Sequence, residues 1–209
     1  EAAFATVDHA YIADGHHRVA SSMRLAETHP NKQRAHAFMA LLVSGEHLMF
    51  RGFHRTVQAT DKQEYAKVLA QLTQLQGTDW TPEVKRTEPS TGSILLRGAI
   101  VGELHIAKAM EAQGITAAEW LQNEVLDPLF GIAEPRTDRR LGYIAGDASP
   151  AELEAASSDP RSLTFIMPPM TFKGLQQVAD HGRHLPPKST WIAPKLRSGM
   201  TLFDFGPAS

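Results

Sequence analysis

Residues 11–18 read Tyr11-Ile12-Ala13-Asp14-Gly15-His16-His17-Arg18. A short apolar run ends in Asp-Gly, and a periodic segment follows at once, with Val19, Met23 and Ala26 on one helical face. The pattern predicts strand, tight turn and helix over residues 11–27, closed by His29-Pro30-Asn31. A helix that begins this way presents amide N–H groups with no carbonyl to bond, and its dipole favours negative charge there. Gly15 allows close approach of a phosphate to the backbone, and Arg18 falls in the first turn, where a planar guanidinium can grip phosphate oxygens. Asp14 suits either Mg²⁺ or a substrate proton. The plain structural alternative is Asp14 as an N-cap, with surface imidazoles at His16 and His17.

Working outward, residues 37–43 are densely apolar, and with residues 48–50 they read as a buried hairpin around Ser44-Gly45-Glu46. A turn at Arg51-Gly52 leads to His54-Arg55-Thr56-Val57. Residues 62–76 carry helical spacing that Gly77 ends, and residues 93–106 read as two strands around Gly98 or Gly102. A helix is predicted over 116–130 and a strand over 141–145, then a helix capped by Ser149 before Pro150. A strand at 163–167, a helix over 171–179 capped by Thr171, and a final apolar strand at 200–205 complete the reading. Mixed strands and helices without repeats imply an α/β or α+β fold, a mixed sheet with flanking helices.

Composition narrows the function. The chain has 209 residues, 42% hydrophobic and 21% charged, with net charge −2. Those values fit a globular protein with no global attraction to nucleic acid or anionic lipid. No apolar run is long enough to span a bilayer, and no signal peptide is visible, so a cytoplasmic location is expected. There are no cysteines, which excludes disulfides, thiolate metal sites and cysteine catalysis. The chain starts at Glu1, and only thirteen residues precede Asp14. A lone short strand there would lack a partner, so a fragment is expected.

Other segments could carry chemistry. Lys188, with the hydroxyls of Ser189 and Thr190, sits in the Pro-stiffened stretch Pro186-Pro187-Lys188-Ser189-Thr190-Trp191, where it could cover a polyphosphate; Lys195 and Arg197 add charge. The alternative is a crossover that packs Trp191 and Leu196 on the core. His54 and Arg55 follow a turn and offer a second anion contact, or else a satisfied histidine and a solvated arginine. Ten histidines invite a metal reading. Neither the His9, His16, His17 group with Asp8 and Asp14 nor His181-x-x-His184 has the spacing of a rigid transition-metal site. Arg136-Thr137-Asp138-Arg139-Arg140 is basic but interrupted and without interleaved aromatics, so it reads as a solvated loop.

The string Ala13-Asp14-Gly15-His16-His17-Arg18 resembles the first signature of the domain-of-unknown-function family 1015. Pro186-Pro187-Lys188-Ser189-Thr190-Trp191 with Pro194-Lys195-Leu196 and Ser198-Gly199 resembles its second. Phe53-His54-Arg55-Thr56-Val57 and Glu134-Pro135-Arg136-Thr137-Asp138 are weaker echoes. The resemblance covers essentially the whole chain, matched to the C-terminal half of a typical member. It implies a ParB/sulfiredoxin-like relationship in which a G-x-x-R turn, Gly15 to Arg18 here, binds nucleotide phosphates. Residues 1–60 would then be the remainder of that region, and residues 61–209 a C-terminal α/β region packed against it, or the two a single domain. Free-serine kinases are relatives, so the implied activity is phosphotransfer from ATP or ADP, with Mg²⁺, to a small hydroxylated acceptor. Asp14 and His16 would be the catalytic residues, with Asp14 also the metal ligand. Gly15, His17, Arg18, His54, Arg55, Lys188, Ser189 and Thr190 would bind phosphate. The kinases' catalytic glutamate has no counterpart in this sequence, and the sulfiredoxin cysteine is replaced by His16. A nucleotide-binding or nucleotide-hydrolysing switch, or an interaction domain without ligand, are the other readings.

Overall fold

Ser93-Ile94-Leu95-Leu96 is apolar on both faces of a strand, a pattern that requires cover on two sides. The computed structural model describes residues 4–58, 62–195, 197 and 199–204. The chain divides into two units, Glu1–Met49 with Ile192–Ser209, and Phe50–Trp191.

In the second unit, β4 (Ser93–Gly98) and β5 (Gly102–His105) are the two strands expected around the glycines. They belong to a six-stranded sheet with β2 (His54–Gln58), β3 (Asp79–Pro82), β6 (Leu141–Ile144) and β7 (Ser162–Ile166). The order is β3-β5-β4-β7-β2-β6, and every neighbouring pair is antiparallel. The fold is therefore mixed α+β. Val57, Leu96, Leu104 and Phe165 line one face. They pack on α2 (Lys62–Leu72), α3 (Ala107–Gln113), α4 (Ala117–Leu121) and α5 (Asp127–Phe130) through Val68, Leu72, Ala109, Trp120 and Phe130. The opposite face, with Leu95 and Ile166, is covered by Leu153 of α6 (Pro150–Ala156). The last helix of this unit is α7 (Phe172–Asp180).

Local chemistry explains the boundaries. Thr116 and Glu119 form a reciprocal capping box at α4, and Ser149 and Glu152 do the same at α6. The side chain of Thr171 accepts from the Gly174 amide at the head of α7. A wide turn over Gln122–Leu126 joins α4 to α5 just before Pro128, which has no N–H to return to the preceding turn. Two elements of the second unit's sheet and its first helical layer, β3 and α3, escape the sequence reading. The edge strand β3 ends in Pro82, a residue tolerated there because an edge leaves one side of the ladder open. The Trp80 side chain lies where a Cβ on Gly102 would stand. The helix α3 lies between two predicted elements and is closed by Gly114 in the left-handed region.

In the first unit α1 (His16–Thr28) forms as expected. Residues 11–13 do not form a strand, and residues 37–43 are neither strand nor buried. Phe38, Met39, Leu41, Leu42 and Val43 are exposed there, because no described segment supplies the partner strand that such a run requires. Of the predicted hairpin only β1 (Met49–Arg51) is present. The predicted strand at 200–205 is absent over 200–204, and position 205 lies outside the described residues. Leu196 and Ser198 of the tail signature also lie outside them. The last strand is β8 (Trp191–Ala193). Among the described residues no helix is long and apolar enough to cross a membrane.

Two glycines separate backbone strain from crowding. Gly114 has φ 63° with open space where a Cβ would stand. Gly98 has φ 101°, and its Cβ would collide with the Ser162 carbonyl of the neighbouring strand. Gly114→Ala should cost about 1 kcal/mol in urea denaturation. Gly98→Ala should cost about 3 kcal/mol or more, the strain and the collision adding together. Equal costs would contradict this packing.

Candidate functional site

The Asp-Gly step at the head of α1 does not cap the helix in the way the sequence allows. Asp14 Oδ1 accepts the Gly15 N–H at 2.8 Å, so the aspartate stands one position before the cap. Gly15 is the N-cap, with φ 85° and ψ 24° and no side chain to offer. Its carbonyl accepts from the amides of Arg18, at 2.8 Å, and Val19, at 3.1 Å. The amides of His16 and His17 find no acceptor among the described residues. The Arg18 stem folds back toward Gly15, its Cδ 3.9 Å from where a Cβ would be. Asp14, His16, His17 and Arg18 are all exposed.

The second signature contributes to the same place. Lys195 Nζ donates to Asp14 Oδ2 at 2.8 Å, joining positions 181 residues apart within the first unit. That hydrogen bond, helped by the Gly15 amide and by the charge of Lys195, outweighs partial burial and holds the Asp14 carboxyl below its usual range. Both side chains are well exposed, 67% and 41%, so the pair contributes at most about 1 kcal/mol to stability. Its consequence is positional: Asp14 fixes an ammonium beside the open end of α1. Neither motif read alone predicts that contact. It also bears on Asp14 as a metal ligand, since both of its oxygens are engaged and one faces a cation. Among the described residues no three His, Asp or Glu side chains gather as a metal site.

The second unit separates His54 from Arg55. They are neighbours on β2, so their side chains point to opposite faces of the sheet. His54 Nδ1 accepts the Met167 N–H at 3.1 Å. Burial, then the nearby Arg55 and Arg51 charges, lowers its pKa from 6.5 to about 4, so the ring is neutral and carries its proton on Nε2. On that nitrogen His54 is a structural acceptor, holding the Met167 amide.

Arg55 is 2% exposed, opposite Tyr143 on one side and Phe165 on the other. The solvated arginine weighed as the alternative is therefore excluded. Nη1 donates to the Phe53 carbonyl at 3.1 Å, while Nη2 is buried without a partner among the described residues. The guanidinium lies over the Tyr143 ring, 5.8 Å from its centroid. Burial lowers its pKa to about 10, still charged at neutral pH, and also raises that of Tyr143. Stripping water from an ion costs several kcal/mol, of which a desolvated cation–π contact returns about 2.

Lys188, in the left-handed region at φ 50°, places Nζ 5.1 Å from the same Tyr143 centroid and 5.9 Å from that of Phe53. Ser189 is buried and donates to the Pro186 carbonyl at 2.6 Å, which ties the turn that presents Lys188. Thr190 is half-buried next to it. Phe53 also meets Trp191 edge-on at 5.2 Å. Tyr143 was invisible as a site residue, because only the β2–β6 register brings it to Arg55. Arg140, in the basic run, binds Asp138 at 2.7 Å and the Phe130 carbonyl at 2.9 Å, a clamp on the end of α5 rather than a solvated charge.

The neutrality of His54 has a pH signature. Its folded pKa lies below the unfolded value, so its contribution is complete above pH 6.5 and is lost as pH falls toward about 4. The loss should reach on the order of 3 kcal/mol. His54→Asn keeps an acceptor for Met167 without titrating. Urea denaturation from pH 7 to 4 should show the wild type losing stability relative to the variant. Parallel curves would contradict a neutral buried ring.

Comparison with known proteins is consistent with this fold. No curated protein matches the chain in sequence. Among solved structures, C-terminally truncated SbnI from Staphylococcus aureus superposes with a TM-score of 0.52 at 16% identity, over 91% of this chain and 65% of its own. A free serine kinase mutant in complex with AMP gives 0.46 at 14% identity, over 86% and 66%. This chain thus spans slightly less than two thirds of either solved chain, and the SbnI likeness concerns the fold alone. The model of the family described as Protein of unknown function (DUF1015) matches residues 1–156. The chain belongs to the DUF1015 family.

Proposed function

We propose that the turn at the head of α1 binds the phosphates of a nucleotide, and that the protein is a phosphotransferase acting on a small hydroxylated molecule. The observation that carries this reading is the helix start itself: Gly15 as a cap without a side chain, two free amides behind it, and Arg18 and Lys195 beside them. Backbone donors, a guanidinium and an ammonium at one place favour an oxyanion over any neutral ligand. Phosphoryl transfer asks mainly for positioning and neutralisation of charge, which these groups supply.

Asp14 then has a specific part. Its depressed pKa makes it a poor proton acceptor, and its tie to Lys195 makes it the holder of that ammonium. His16, exposed at the first helical position, is the better-placed group to take the acceptor's hydroxyl proton as the oxygen attacks the terminal phosphorus of ATP or ADP. His17 Nα–H and the His16 amide would hold the phosphate that leaves with the nucleotide. Mg²⁺ enters this scheme only as a companion of the nucleotide, since no described cluster is suited to hold it alone. Charge neutralisation on the nucleotide phosphates is the chemistry it would supply.

Calorimetry with ATP and ADP, followed by phosphorus NMR with a panel of hydroxylated metabolites, tests the proposal. Arg18 is exposed, so Arg18→Ala should leave the melting temperature unchanged while weakening nucleotide binding about tenfold or more. Lys195→Met should weaken it as well. Acceptor-dependent consumption of nucleotide identifies a transferase, whereas binding without turnover points to a switch. Unchanged affinity in both variants would overturn the assignment.

A further inference from the structure

Arg55 is a buried cation without an anion. Among the described residues no carboxylate pairs with it or with Lys188, yet both cations lean on one aromatic ring, that of Tyr143. Two like charges gathered at one ring repel, and the guanidinium has lost its water as well. A fold could relieve this by placing an acidic side chain opposite Arg55. The registers instead place Tyr143 and Phe165 there. Nη1 donates to the Phe53 carbonyl, and Nη2 has no acceptor among the described residues. Lys188 is exposed on its own turn, and its neighbour Ser189 anchors that turn to Pro186.

From these observations we infer that Arg55 and Lys188, over the Tyr143 ring, form a second oxyanion subsite for a carboxylate or phosphate group of a small molecule. It lies wholly within the second unit and does not rest on the reading of the α1 turn. The two cations divide the work. Nη2 would give a buried hydrogen bond of fixed direction, and the exposed Lys188 a point charge on the solvent side. With Nη1 turned to the Phe53 carbonyl, Nη2 is the buried guanidinium nitrogen left to meet a ligand. Affinity should therefore depend on Lys188 as strongly as on Arg55. The Phe53 and Tyr143 rings beside Lys188 would lower the local polarity and strengthen an ion pair formed there.

Side-chain nitrogen NMR on the full chain reads Arg55 directly. Inorganic phosphate, acetate and chloride are added separately at constant ionic strength. The Arg55 signal should shift saturably with phosphate, with acetate, or with both, and the stronger of the two names the ligand class. No saturable shift with either, or an equal shift with chloride, overturns the inference. Lys188→Gln should weaken the binding about tenfold, and it tests the site even if Arg55→Gln fails to fold. Unchanged affinity in Lys188→Gln overturns the pairing of the two cations. Arg18→Ala should leave this titration unaltered; if it abolishes the shift, the anion is bound at the α1 turn and the second subsite does not exist.

Discussion

A glycine in the left-handed region at the head of α1 is the constraint on which the functional account depends. Ordinary helices hide their first amides behind the side chain of a serine, threonine or aspartate. Here the aspartate is displaced by one position and turned toward Lys195, and the residue that takes its place has no side-chain acceptor to offer those amides. The helix is left open at its positive end, in the company of two cations. Filling that end with an N-cap side chain would give a tidier helix and remove the reason for an anion to bind.

The same logic, a cost left standing in the fold, recurs in the sheet. Arg55 occupies a position on the face of the main core where an apolar residue would pack, and its guanidinium is only partly satisfied. Its strand neighbour His54 shows the opposite solution, a polar ring made neutral by burial and given an amide to hold. One strand thus carries a settled polar residue on one face and an unsettled one on the other. Glu103 illustrates full satisfaction elsewhere, buried but bonded by Ser90, Ser93 and Arg86. Against these two, the incomplete partnering of Arg55 stands out as a local exception.

Much of the sheet was legible in the sequence, because β4, β6 and β7 are largely apolar and β5 follows β4 across a glycine-bounded turn. The capped helices were legible as well, since Thr116, Ser149 and Thr171 announce their starts. His54-Arg55-Thr56-Val57-Gln58 was harder to read: a polar strand looks like a loop until its neighbours on both sides are known. The apolar run at 37–43 misled in the other direction, since composition reports a wish for burial without supplying a partner. At the site, Gly15 and Arg18 were visible as a motif. The closure of Lys195 onto Asp14, and the meeting of Lys188 with Arg55 at Tyr143, depend on contacts between residues distant in sequence, which spacing cannot encode.

The open helix end can be examined directly by amide NMR during a titration with ATP. Hydrogen bonds from His16 and His17 to phosphate oxygen should move those two backbone amides downfield further than any others in the chain, with saturation. If both stay in place while nucleotide binds, or if nucleotide leaves the whole spectrum unchanged, the helix end is not a phosphate site and the account fails.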